Sequence, residues 1–205
     1  MMSTLQQSIS ISQKDRRRFL VGATTIVGAI GSAGLLIPFV ASMNPSARTR
    51  SAGAPVQIDI GKLEAGQQVT LSWRGKPVWV LHRTTDMLKK LEDTGLLKKL
   101  TDPTSSVQSQ QPDYAKNKFR SIQPEYFVTI ALCTHLGCIP SFRPKPGAAD
   151  LGATWPGGYF CPCHGSLFDL AGRVFKGVPA PTNLVIPPYQ FLSDSVIEIG
   201  TNSLT

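Results

Sequence analysis

The sequence has no basic stripe interleaved with aromatic residues, although its balance of charge is positive. Its 205 residues carry a formal net charge of +8, but only 8% are aromatic, and the lysines and arginines are scattered. This scatter argues against a nucleic-acid-binding protein, which concentrates its basic residues on one face or stripe. The length excludes two large domains and predicts one ordinary domain with an appendage. A hydrophobic content of 41% excludes wholesale disorder.

Charged residues are absent from residues 19–47. The most apolar part, residues 19–41, would cross a hydrocarbon layer about 30 Å thick if it formed a helix. It is longer than the apolar core of a signal peptide, and no convincing A-x-A-like cleavage site follows it. We therefore predict a transmembrane helix that stays attached to the protein.

A basic cluster stands directly before this apolar segment. It consists of Lys14, Arg16, Arg17 and Arg18, with Asp15 as the opposing charge. Because cytoplasmic flanks collect lysine and arginine, residues 1–18 should stay in the cytoplasm while the C-terminal part crosses the membrane. The arginines and the following Phe19 and Leu20 also resemble a twin-arginine export signal, which is read for proteins exported in a folded state. A charged flank alone explains the arginines almost as well.

Residues 42–55 are rich in small residues and predict a flexible tether. The rest of the chain, residues 56–205, predicts a mainly β head. Apolar and polar residues alternate in several segments bounded by turn residues, which predicts strands at residues 55–60, 67–73 and 77–83. The same pattern predicts a late hairpin at residues 189–200. Residues 84–100 predict an amphipathic helix capped by Thr84 or Thr85 and weakened by Gly95. Residues 101–124 predict an irregular surface excursion.

Cysteine and histidine are scarce, and most of them are concentrated in two short runs. The chain has four cysteines and three histidines. CTHLGC, residues 133–138, and CPCHGS, residues 161–166, contain Cys133, His135, Cys138, Cys161, Cys163 and His164. The third histidine, His82, lies in a predicted strand and is expected to be structural or exposed.

Several chemistries compete for these six residues. A structural zinc site usually has a cysteine pair followed by a histidine pair, whereas each run here mixes the two types. A cysteine-histidine nucleophile needs one special thiol and leaves three cysteines unexplained. Two structural disulfides would leave both histidines unexplained. An iron-sulfur cluster with mixed ligands is the remaining possibility.

The two runs resemble the Rieske motif pair at every position. The resemblance implies one [2Fe-2S] cluster held by Cys133, His135, Cys161 and His164, and a disulfide between Cys138 and Cys163. Two neutral imidazoles in place of two thiolates make the cluster less negative, so it accepts an electron more readily. Such centres reach about −150 to +300 mV, against about −400 mV for plant-type clusters. Electron and proton uptake should then be coupled at the histidines.

The anchor, the tether, the two runs and GVPAP at residues 177–181 together resemble the Rieske subunit of a bacterial cytochrome bc complex. The resemblance is strongest over residues 126–184, the expected cluster-binding part inserted in a Rieske-type antiparallel β-sandwich head. It implies that His164, with His135 beside it, takes an electron and a proton from quinol in the cytochrome b subunit. The head would then move on its tether and pass the electron to a membrane-anchored c-type cytochrome.

The same resemblance implies that the chain is a catalytic subunit of quinol:cytochrome c oxidoreductase and contributes to proton translocation. It implies a dimeric complex in the bacterial inner membrane, with the head on the periplasmic side. A Rieske subunit of another oxidoreductase, such as arsenite oxidase, is the alternative, but the long helix-bearing insertion suits the quinol family better. Soluble oxygenase ferredoxins lack both the membrane span and the disulfide cysteines.

Two residues near the second run are expected to tune the redox potential. Ser166 matches a family serine whose hydroxyl donates to a cluster sulfide. Two residues later many members have a tyrosine that donates to a ligand sulfur, whereas this chain has Phe168. We therefore expect a lower potential than in the tyrosine-bearing members.

Overall fold

The structure is a computed structural model that describes residues 2–46, 49 and 53–201, with the side chains of residues 2–12 excepted. The chain divides into two compact units, Met1–Arg50 and Ser51–Thr205. The predicted tether, residues 42–55, lies partly outside the described residues. Its role therefore stays a prediction.

The described part of the first unit is mainly one long helix. Helix α1 spans Met2–Ser42 and contains the whole predicted apolar segment. Its apolar side chains are exposed, Phe19 by 73%. The hydroxyls of Thr24 and Thr25 donate to carbonyls one turn earlier, at 2.8 Å each. An exposed apolar surface with internally satisfied polar groups suits hydrocarbon surroundings, and by length and composition Gln13–Ser42 could cross a membrane.

The second unit, the head, is mainly β, as the sequence predicts. Its described residues form three antiparallel sheets of three strands each, ordered β1–β9–β8, β2–β3–β4 and β5–β6–β7. The strands are β1 (Val56–Asp59), β2 (Gln68–Trp73), β3 (Lys76–His82), β4 (Tyr126–Ile130), β5 (Ser141–Arg143), β6 (Gly158–Cys161), β7 (Ser166–Phe168), β8 (Tyr189–Ser193) and β9 (Val196–Ile199). The first and last strands pair with each other, which closes the head.

The late hairpin predicted at residues 189–200 is confirmed, and the strands predicted at residues 67–73 and 77–83 form another hairpin. Strands β2 and β3 are joined by Arg74 and Gly75, whose φ angles are 51° and 71°. A two-residue turn with positive φ at both positions matches the twist of antiparallel strands. Strands β8 and β9 form the second hairpin, with its turn after Ser193.

The continuous helix predicted over residues 84–100 is wrong, because the structure has two short helices there. Helix α2 spans Thr85–Leu91, and the Thr84 hydroxyl caps it by accepting from Met87 N. Helix α3 spans Thr94–Leu97. The chain breaks at Asp93, whose carboxylate accepts from Gly95 N at 2.8 Å and so starts a new helix in place of extending the old one.

The predicted surface excursion at residues 101–124 is only partly at the surface. It includes two 3₁₀ turns, Gln108–Gln110 and Asp113–Ala115. It also supplies buried groups to the head, including Ala115 and Arg120 at 0% exposure. Polar composition alone predicted exposure, but these side chains are covered by segments far away in the chain.

The sheet β5–β6–β7 is tied to the rest of the head by an aromatic cluster. Tyr159 of β6 stacks on Trp79 of β3, with 5.0 Å between ring centroids and an interplanar angle of 11°. The Tyr159 hydroxyl donates to Gln68 Oε1 at 3.1 Å. Burial raises the pKa of Tyr159 above its ordinary value. This cluster positions strand β6, which ends at Cys161.

Candidate metal centre

The two cysteine-histidine runs form neighbouring loops. The first run follows strand β4 and leads to β5, and the second is the tight connection between β6 and β7. Cys161 is the last residue of β6 and pairs with Ser166, the first residue of β7. The sheet therefore fixes the ends of the second loop.

Both loops use the same turn. Gly137 N donates to the Cys133 carbonyl at 2.9 Å, and Gly165 N donates to the Cys161 carbonyl at 2.9 Å. The φ angles of the two glycines are +81° and +79°, a conformation that glycine adopts without steric cost. Each turn thus folds back on the cysteine that opens its run.

The structure separates the four cysteines into two kinds. Cys138 and Cys163 are joined in a disulfide that links the two loops. Cys133 and Cys161 are free and buried. Burial is the largest cause that raises the pKa of the Cys161 thiol, and the Cys133 thiol acts in the same direction. Iron binding at Cys161 must therefore displace a proton.

The free cysteines and the two histidines fit an iron-sulfur group. The N–H groups of Cys163 and His164 donate toward the Cys161 sulfur, an arrangement that would stabilise a thiolate. His135 Nδ1 is buried and has no hydrogen-bond partner in the described part of the chain. Its ring meets that of His164 edge to face, with 4.8 Å between centroids. An iron ligand bond would satisfy this orphaned nitrogen.

The Cys161 sulfur also lies within 4.8 Å of the sulfurs of Cys138 and Cys163. These three cysteines are not a ligand set, because disulfide sulfurs carry no thiolate charge and metals bind the thiolate. Cys161 is the member of this trio that can bind metal.

A third loop, residues 177–183, packs against both runs. The Thr134 hydroxyl donates to Thr182 O at 2.7 Å. Ala180 N donates to the Ser166 hydroxyl oxygen at 3.0 Å. Ser166 is fully buried, and no acceptor for its hydroxyl hydrogen is found among the described residues. That hydrogen is therefore free to be donated to a group held between the loops.

Thr134 and Ala180 lie in the CTHLGC run and in GVPAP, but the sequence did not predict the hydrogen bonds that they make. Their partners lie 48 and 14 residues away in the chain, and neither residue type points to such a role. The resemblance of GVPAP to the family pattern was the one feature of the sequence that pointed to this loop.

Phe168 and His82 are the other two residues that the sequence analysis discussed. Phe168 is the last residue of β7, is fully buried, and pairs with Tyr159. His82 is a structural residue, as expected, since its Nδ1 bonds to Leu63 O at 2.6 Å and its ring stacks on Tyr126. At the outer surface, His164 is exposed and Leu136 is 72% exposed.

Comparison with known proteins places this geometry in a family. A family described as the Rieske [2Fe-2S] domain matches residues 104–190, and one described as a ubiquinol-cytochrome c reductase Fe-S subunit TAT signal matches residues 7–46. The ubiquinol-cytochrome c reductase iron-sulfur subunit of Allochromatium vinosum is 62% identical over 187 residues, which cover 91% of this chain and 89% of that protein.

The chain belongs to the family of ubiquinol-cytochrome c reductase iron-sulfur subunits. The family member from Blastochloris viridis is 45% identical and covers 94% of this chain and 97% of that one. A solved structure titled "Hyperthermophilic respiratory Complex III" contains a chain that is 27% identical, with a TM-score of 0.45 and coverage of 85% of this chain and 96% of that one.

These relatives confirm the predicted family, the mainly β Rieske fold and the [2Fe-2S] cofactor. They also confirm the twin-arginine signal, and with the apolar helix they fit a membrane-anchored subunit of an oxidoreductase complex. The alternative of a Rieske subunit from another oxidoreductase is not favoured, since the family members above carry the reductase name.

Proposed function

We propose that this chain accepts one electron and one proton from a quinol and passes the electron to a c-type cytochrome. The observation that carries the proposal is the convergence of two free thiols and two imidazoles on loops joined by a disulfide. The [2Fe-2S] group, when bound, supplies one-electron redox chemistry at a potential high enough for quinol oxidation.

Cys133 and Cys161 would hold one iron as thiolates, and His135 and His164 would hold the other through ring nitrogens. The buried Nδ1 of His135 supports this assignment, because it leaves Nε2 as the nitrogen that can face a substrate. Ser166, whose oxygen already accepts from Ala180 N, would donate its hydrogen to a cluster sulfide. Phe168 offers no such donor.

His164 would take the proton. Its ring is exposed at the outer surface of the loops, so a quinol hydroxyl can reach the outer ring nitrogen and donate to it. The side chains of Leu136 and Ile139 are 72% and 56% exposed. They would supply an apolar surface for a quinone ring and its protein pocket. Cys133 and Cys161 are buried, which keeps water from the sulfur side.

We further propose cytochrome b and a membrane-anchored c-type cytochrome as partners, in a dimeric complex that contributes to proton translocation. Residues 1–18 would remain in the cytoplasm of a bacterium, residues 19–41 would span its inner membrane, and residues 56–205 would fold on the periplasmic side. Residues 42–55 would let the head move between the two partners. The twin-arginine match supports export of a head that already holds its cluster.

The test is purification from detergent-solubilised membranes, followed by electron paramagnetic resonance of the reduced sample. We expect cytochrome b and a c-type haem subunit to co-purify with an iron-sulfur signal that a quinol generates. A signal-free protein with bound zinc would overturn the proposal in favour of a structural zinc module. A signal without either cytochrome would favour a Rieske subunit of another oxidoreductase.

A further inference from the structure

Two arginines from distant parts of the chain converge on residues 169–173, the segment that follows strand β7, and this segment contributes a third, Arg173. Arg83 Nη1 donates to Leu170 O at 3.4 Å, and Arg120 Nη1 donates to Ala171 O at 3.1 Å. Arg173 Nε donates to the Asp169 carboxylate at 2.7 Å. Residues 169–173 are therefore surrounded by guanidinium groups.

This cluster carries an excess of positive charge in the interior. Arg83, Arg120 and Arg173 are each no more than 1% exposed, and Asp169 is the one carboxylate that is buried with them in the described part of the head. Three guanidinium groups against one carboxylate leave a net charge of +2 among the fully buried groups, and the half-buried Asp102 offsets part of it near Arg120. Buried charge without a partner is costly, so this excess calls for an explanation.

Arg83 and Arg120 stay charged under ordinary conditions. Burial lowers the pKa of Arg83 to about 10 and that of Arg120 to about 10, while the Asp169 carboxylate acts in the opposite direction on both. Both values lie well above neutral pH. The guanidinium charges are thus permanent features of the folded head.

Hydrogen bonding alone does not account for the cluster. Arg120 also donates to Leu184 O and Gln111 Oε1, at 2.8 and 3.1 Å, and so fastens the end of the third loop. The Nε groups of Arg83 and Arg120, however, are buried without a hydrogen-bond partner among the residues that the structure describes. A neutral amide could serve several of the same carbonyls at a smaller desolvation cost.

We propose that the net positive charge of this buried arginine cluster raises the midpoint potential of the [2Fe-2S] group. The inference rests on the proposed function, because it assumes that Cys161 is a ligand. Ser166 pairs with Cys161, and Asp169 follows it by three residues, about 10 Å along an extended chain. Arg83 and Arg120 bond to Leu170 and Ala171, one and two residues beyond Asp169, so their charges lie more than about 10 Å from Cys161. At an effective dielectric constant of about 20, a fixed charge at that range still changes the energy of an added electron.

Two substitutions at Arg120 separate charge from hydrogen bonding. Arg120→Met removes both, whereas Arg120→Lys removes the hydrogen-bond fork and keeps the charge. The midpoint potential of the intact complex is followed by electron paramagnetic resonance at about pH 6, where a buried lysine stays protonated if its pKa falls as far as that of Arg120. In Arg120→Met we expect the equilibrium constant for one-electron reduction of the cluster to be about fivefold to tenfold smaller than in wild type. In Arg120→Lys we expect it to be close to the wild-type value.

Equal shifts in the two variants, or no shift in either, would overturn the proposal. The pair Arg83→Met and Arg83→Lys repeats the comparison from another part of the chain, should the variants at Arg120 fail to assemble. Asp169→Asn removes the opposing charge and should raise the potential, so a fall would also contradict the idea. Iron content and the electron paramagnetic resonance signal of the wild-type complex test the proposed function separately. A wild-type complex without iron and without signal would hold no cluster, and the proposed function would fail.

Discussion

The base and the tip of the head are held together by different forces. The base consists of the sheets β1–β9–β8 and β2–β3–β4, and its side chains such as Val80 and Ile197 are fully buried apolar groups. The tip consists of the two cysteine-histidine runs and the loop at residues 177–183. It is held by a disulfide, two glycine turns and side-chain hydrogen bonds.

This difference predicts which properties respond to mutation in each region. Removing apolar groups from the base should lower the free energy of unfolding, because burial of apolar surface is its main source of stability. Changing polar or sulfur groups at the tip should alter iron binding or potential, because those groups are arranged around the ligand site. The following experiments test that division.

The largest effect is expected from a ligand. His135→Gln should abolish the iron-sulfur signal and lower the iron content, because an amide does not replace an imidazole as an iron ligand. His82→Gln is the matched control, since His82 bonds to Leu63 O outside the site. Iron analysis and electron paramagnetic resonance measure both variants. A full signal in His135→Gln would show that the ligand assignment is wrong.

The next test compares one residue type in the two regions. Ile197→Ala in the base should lower the free energy of unfolding by about 2–5 kcal/mol, because it leaves a cavity in the core. Ile139→Ala at the tip should change it by no more than about 0.5 kcal/mol, since this side chain is 56% exposed. Urea unfolding of the two proteins decides the matter. Similar losses would contradict the division between base and tip.

Removal of the disulfide tests the tip's covalent support. The double variant Cys138→Ser/Cys163→Ser should lose about 2–4 kcal/mol of unfolding free energy, since the bond closes a loop over a sequence separation of 25. It should also release iron faster to a chelator, because the two loops are no longer joined. Wild-type protein treated with the same chelator is the control. Unchanged stability and iron retention would refute this role.

The smallest effect is expected at Phe168. Phe168→Tyr should raise the midpoint potential by about 20–60 mV, the equivalent of one hydrogen bond of about 0.5–1.5 kcal/mol for a one-electron couple. Phe168→Leu is the control, because it changes the side chain without adding a donor. Redox titration measures both. An unchanged or lowered potential in Phe168→Tyr would sink the idea.

Local patterns made much of the fold predictable. The Arg74–Gly75 turn and the alternation around it define a hairpin within a few residues, and the structure has that hairpin. The same kind of reasoning failed for residues 84–100, where helical spacing competes with the capping preference of Asp93. It failed also for Arg120, because burial of a charged residue depends on partners more than 50 residues away.

The sequence by itself determined the apolar N-terminal helix, the β character of the head and the two runs that carry the cysteines and histidines. These properties depend on composition and on spacing within a few residues. The tertiary structure decided the rest: which thiols stay free, how the third loop seats Ser166, and where three arginines meet. Those features arise from contacts between distant segments, whose geometry only the packed chain defines.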